Sequence, residues 1–83
     1  MSKKDEEMLF DELTAMLDRA QTVLSAQRQR REDTARTDKF ISIAHSLRAR
    51  VYRAMKSGAD MTAAELQAAE ETMVSLRLTE KSL

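Results

Sequence analysis

Ser57-Gly58-Ala59-Asp60-Met61-Thr62-Ala63-Ala64-Glu65-Leu66 is the stretch whose reading decides the fold. Gly58 is the only glycine in 83 residues, and there is no proline. Glycine has no Cβ to clash in the left-handed conformation that closes many helices, so Gly58 marks a helix end. Thr62-Ala63-Ala64-Glu65 then has the form of a capping box. The threonine side chain reaches the amide of the third helical residue, and the glutamate reaches back to the cap. Met61 and Leu66 bracket that box as a hydrophobic staple. A helix stopping at Gly58 and another starting at Thr62 make a helical hairpin.

Working outward, the third helix is expected over about 62–78, with the stripe Leu66, Ala69, Met73 and Leu76. Their spacing of three and four keeps them on one helix face. Before Gly58, a helix over about 38–57 has the apolar arc Phe40, Ile43, Ala44, Leu47, Val51, Ala54 and Met55, with Ile41 at its edge. Lys39, Arg50, Arg53 and Lys56 fall on the opposite face, and Arg48 and Tyr52 border the arc. A first helix, about 5–30, carries the seam Phe10, Leu13, Leu17, Ala20 and Leu24, widened by Leu9, Met16 and Val23. Asp5, Glu6 and Glu7 sit in its first turn, where the helix dipole favours negative charge, and read as a solvated face.

Residues 26–38 contain no large apolar side chain. At 100° per residue, the stripes of the first and second helices would face opposite sides of one continuous rod. A break within residues 29–38 lets both face the same core. Asp33, Thr34, Thr37 and Asp38 are all competent N-caps, and the corner is expected near Thr34–Asp38. With no strand signal, the fold class is all-α: one small helical domain over residues 1–83.

That domain has a thin core. Aromatic residues are 4% of the chain, namely Phe10, Phe40 and Tyr52. Met16, Met55 and Met73 read as core filler. There is no cysteine, so no disulfide can reinforce the fold. Small scaffolds commonly need a disulfide, a metal or a partner subunit. A bundle completed by a dimer or another protein is therefore expected. The N-terminal residues include no apolar segment typical of a secretory leader, and no apolar run is long enough for a membrane span, so a cytoplasmic location is the default expectation.

Charge is segregated although the net charge is zero. Residues 1–18 hold two basic and six acidic side chains, residues 19–56 ten and three, and residues 57–83 two and five. Acidic ends packing beside a basic middle, within the fold or across a dimer, is one reading. A basic surface for nucleic acid or an acidic partner is the other.

Catalytic chemistry is not expected. His45 is the lone histidine, and Ser42 stands where an i, i+3 metal-ligand motif needs glutamate. No Cys or second His completes a zinc set, and a single glycine builds no phosphate loop. No cofactor is expected. The pattern instead implies a non-enzymatic protein–protein interaction module, of adaptor, chaperone or anti-activator type, acting through Phe10, Leu13, Leu17, Leu24, Phe40, Leu47, Val51, Leu66, Met73 and Leu76 as core or interface. The alternative is a helical nucleic-acid-binding regulator using Arg28, Arg30, Arg31, Arg36 and Lys39, with phosphates as the contacts.

Overall fold

With neither glycine nor proline to interrupt it, the chain from Lys3 to Gln29 winds into one helix, α1, of 27 residues. The computed structural model describes residues 3–83; the first two residues, part of the segment read for a leader, lie outside the described residues. Helices α2 (Ala35–Ser57) and α3 (Ala63–Glu80) follow, and there is no strand among the described residues. The protein is an all-α three-helix bundle. At 1.5 Å per residue α1 is about 40 Å long, and it sets the long dimension of a molecule measuring 44 × 20 × 15 Å.

The Gly58 corner forms as its local chemistry dictates. Gly58 closes α2 with φ 78°. Thr62 Oγ1 accepts from the Glu65 amide at 3.1 Å, and Glu65 Oε1 accepts from the Thr62 amide at 3.1 Å. Met61 and Leu66, the staple pair, are both buried. Helix α3 continues to Glu80, beyond the expected residue 78, because Arg19 of α1 grips the Glu80 carboxylate through two hydrogen bonds of 2.7 and 3.0 Å.

The other corner differs from expectation. It occupies residues 30–34, and α2 begins at Ala35 rather than near residue 38. The Glu32 amide donates to the Gln27 carbonyl at 2.9 Å, and the Arg31 amide donates to the Arg28 carbonyl at 3.2 Å. Arg31 between them has φ 57°. These two bonds around a left-handed residue are a Schellman motif, here built on arginine instead of glycine. Asp33 Oδ1 then accepts from the Ala35 amide at 2.9 Å, which satisfies the first donor of α2 and lets it start early.

Helices α1 and α2 run antiparallel, as do α2 and α3, so α1 and α3 are parallel. Leu13, Met16, Phe40, Ala44, Leu47, Val51, Met73 and Leu76 form the centre of one core. The α1 seam is rotated from the expected one: Leu9, Leu13, Met16, Ala20 and Leu24 are buried, whereas Phe10 and Leu17 are half-buried. A seam along Phe10 and Leu17 would face one neighbour. The observed seam points between two.

Glu6 also departs from expectation. It is not part of a solvated acidic face; it is 0% exposed, and its Oε2 accepts from the Met61 amide at 3.0 Å. The physical reason is helix phase. Position 6 precedes Leu9 by three and Leu13 by seven, so it lies on the buried stripe. At the opposite end of α1, buried Thr37 donates through Oγ1 to Gln27 Oε1 at 2.7 Å.

Opposite signs are expected at the two left-handed positions. An added Cβ at Gly58 meets no atom within 4 Å, so Gly58→Ala is penalised by its backbone conformation alone, by about 1 kcal/mol. Arg31→Gly relieves the same strain and raises stability by a few tenths to about 1 kcal/mol. Urea unfolding of the two variants against the parent measures both. Glu6→Ala leaves the buried Met61 amide without that acceptor and costs about 1–3 kcal/mol, while Glu6→Gln keeps a carbonyl there and costs less. Equal losses for Ala and Gln would show that the hydrogen bond contributes nothing.

Candidate functional site

Three helices make three seams, and the side chains seal only two of them. Between α1 and α2, Arg48 stacks its guanidinium 4.2 Å from the Phe10 ring centroid and donates from Nε to Thr14 Oγ1 at 2.8 Å. The Phe10 and Tyr52 ring centroids lie 5.8 Å apart, and Lys56 Nζ sits 5.5 Å from the Tyr52 centroid. This run of cations and rings explains why Phe10 is only half-buried: its face is covered by charged and aromatic groups instead of core.

Between α1 and α3, Arg77 donates to both Glu12 oxygens at 2.6 and 2.8 Å, and Arg19 holds Glu80 in the same fork geometry. Bidentate pairs of this kind fix direction as well as distance. The Arg77 hydrogen bond is the main cause that holds the Glu12 carboxyl below the ordinary value of 4.5. The amide hydrogen bond from Thr62 does the same for Glu65.

The α2–α3 seam is different. Helices α2 and α3 approach each other at few points along their length, and α1 and α3 at fewer still, so the difference lies in the side chains that bridge each seam. Among the described residues, the only side-chain hydrogen bond across it is from Arg36 to Ser82 Oγ at 2.7 Å, just beyond the end of α3. A cleft of about 550 Å³ opens near the Gly58 corner, floored by Leu47, Ala54, Met61 and Ala69 and rimmed by Arg50 and Arg53. A second, of about 410 Å³, lies towards the start of α2, with Phe40 and Leu76 at its floor and Arg36, Lys39 and Ile43 on its rim. On the α3 side, Asp60, Glu65 and the small Ala68 line the first cleft, and Ser75 and Thr79 line the second.

Of the residues expected to form core or interface, Leu13, Leu24, Phe40, Leu47, Val51, Leu66, Met73 and Leu76 are buried, and Phe10 and Leu17 are half-buried. Ile43, placed in the apolar arc of the second helix, is 40% exposed on the groove rim. The basic segment does not form one surface. Arg36 and Lys39 line the α2–α3 groove, whereas Arg28 and Arg30 close α1, with Arg30 paired to Glu32 at 3.5 Å. Arg31 serves the backbone turn. Arg50 and Arg53, assigned to the back of the second helix, are groove residues. His45 is exposed and borders a smaller cleft between α1 and α2 with Asp18 and Ile41.

Two apolar residues that the sequence reading left unassigned are exposed on α3: Val74 at 52% and Leu78 at 64%. Their four-residue spacing, out of phase with Leu66, Ala69, Met73 and Leu76, was the available signal. No helix among the described residues is long and apolar enough to cross a membrane. Compared with known proteins, the chain shows no significant match to a family model, a curated protein or a solved structure.

The closed α1–α3 seam has a pH dependence of definite sign. A carboxyl held low in the folded state stabilises above its unfolded value and loses that contribution as pH falls. Glu12→Gln is therefore expected to be less stable than the parent at neutral pH, and the gap should close as pH drops below 4.5. Thermal unfolding across that range reads it; a gap independent of pH would show that the Glu12 charge is irrelevant.

Proposed function

We propose that this protein is a non-enzymatic interaction module that receives a helix of another polypeptide on its α2–α3 face. One observation carries the reading: α3 is bound to α1 by ionic forks and to the core by its apolar stripe, while its seam with α2 is an open groove with an apolar floor. Helices pack at 8–10 Å when the contacting side chains are small, and Ala68, Ser75 and Thr79 offer that kind of surface. A helix laid there would turn three helices into a four-helix arrangement. Exposed Ile43, beside buried Phe40 and Leu76, supplies an apolar contact.

The reading makes a positional prediction. A photo-crosslinking residue at Ala68 or Ser75 should form protein adducts in the native cells. The same residue at exposed Ala15 or Ala49, away from the groove, should form none. Adducts at Ala15 and Ala49 with none at Ala68 and Ser75 would overturn the assignment. Adducts to nucleic acid from the groove positions would replace it with the alternative that the basic residues suggest.

A further inference from the structure

One face of α2 carries a stripe along the groove: Arg36, Lys39, Ile43, Ser46, Arg50 and Arg53, spaced 3, 4, 3, 4 and 3. It spans about 26 Å at 1.5 Å per residue. All of these except Ser46 line the two clefts between α2 and α3.

The two clefts differ in sign. Near the Gly58 corner, Asp60 and Glu65 share the cleft with Arg50 and Arg53, so that end carries both charges. At the other end, the charged lining is Arg36 and Lys39 alone. Carboxylates close to it in sequence are engaged elsewhere: Asp38 accepts from Thr34 Oγ1 at 2.8 Å, and Glu80 is held by Arg19. Arg36 donates to the neutral Ser82 hydroxyl, and Lys39 has no hydrogen-bond or ion-pair partner among the described residues. Beside these two cations the cleft is apolar, with Phe40 and Leu76 buried and Ile43 exposed.

We propose that the occupant of the groove is an acidic amphipathic helix of another protein, seated at the Arg36–Lys39 end. This rests on the interaction reading of the α2–α3 face and gives the partner its chemistry. An aliphatic side chain of that helix enters between Ile43 and Leu76. Carboxylates one turn away on the same helix reach Arg36 and Lys39, since residues three or four apart are neighbours on a helix surface. The Gly58 end, with both charges present, favours no acidic stretch, so the groove also sets the direction in which the helix lies. A nucleic acid fits worse. Following the stripe, its phosphates would run onto Asp60 and Glu65 and leave the Phe40–Ile43–Leu76 surface uncovered. Phe40 is the one ring lining either cleft and is buried, so no ring is offered there for stacking on a base. Val74 and Leu78 line neither cleft and take no part.

A photo-crosslinking residue at Ser75, inside the basic cleft, tests it in the native cells. The expected result is a protein adduct whose crosslinked segment, sequenced by mass spectrometry, carries Asp or Glu within one turn of an aliphatic residue. Lys39→Glu, at an exposed position, should leave circular dichroism unchanged and cut the adduct roughly tenfold or more, and Lys39→Gln should cut it by a smaller factor. Lys39→Glu combined with reversal of the captured carboxylate to lysine should restore most of the adduct. Arg53→Glu should reduce it less than Lys39→Glu, because Asp60 and Glu65 already face that end. A protein adduct undiminished by Lys39→Glu, or a captured segment without acidic residues, overturns the acidic helix and keeps the interaction reading. An absence of protein adducts at both Ser75 and Ala68 refutes both. An adduct to nucleic acid that Lys39→Glu abolishes assigns the cleft to phosphates and also refutes both.

Discussion

A buried glutamate side chain holds the corner of this molecule. Glu6, near the start of α1, accepts a hydrogen bond from the Met61 amide, at the point where the chain has left α2 and has not yet entered α3. Burying a polar side chain without hydrogen-bond partners costs free energy, so the position is stable only while partners face it. The loop supplies one because the staple already presses Met61 into the core. Local capping and long-range hydrogen bonding thus act on the same residue. Glu6 sets the height at which α3 begins beside α1. From there the parallel course of the two helices brings Arg77 to Glu12 and Glu80 to Arg19.

The side chains bridge the three seams unequally. Two exposed guanidinium–carboxylate forks link α3 to α1, although the α3 backbone approaches α2 more closely, and α1 is closed against α2 by the Arg48–Phe10–Tyr52–Lys56 run. Nothing comparable spans α2 and α3 among the described residues. The basic middle of the chain consequently splits into two populations. Arg48 and Lys56 are used in packing, whereas Lys39, Arg50 and Arg53 border a groove. The acidic–basic–acidic order along the chain is partly discharged inside the fold, by Glu12–Arg77 and Arg19–Glu80, and partly left at the surface.

The fold was largely legible in the sequence; the candidate site was much less so. Gly58, the Thr62–Glu65 box and the Met61–Leu66 staple act over a few residues, so their residue types suffice to identify them. The stripes of α2 and α3 were equally plain. The seam of α1 was read one flank away, since Leu9, Phe10, Met16 and Leu17 are all apolar and spacing alone does not choose among them. The Arg31 corner carried no residue signal, because the bonds that close it are backbone bonds and its left-handed residue is an ordinary side chain. Glu6 could have been found from its phase with Leu9 and Leu13, had acidic residues in a first helical turn not such a ready explanation in the helix dipole.

By itself, then, the sequence determined three amphipathic helices and one sharply specified turn, because capping, periodicity and backbone permissiveness are short-range properties. Tertiary structure alone decided that one acid of a first-turn cluster is core, that arginine stands in a glycine position, and that the arginines of one helix divide between packing and an open groove. These outcomes depend on what faces a side chain across a seam. That neighbour is set by the register of whole helices, which no local spacing contains.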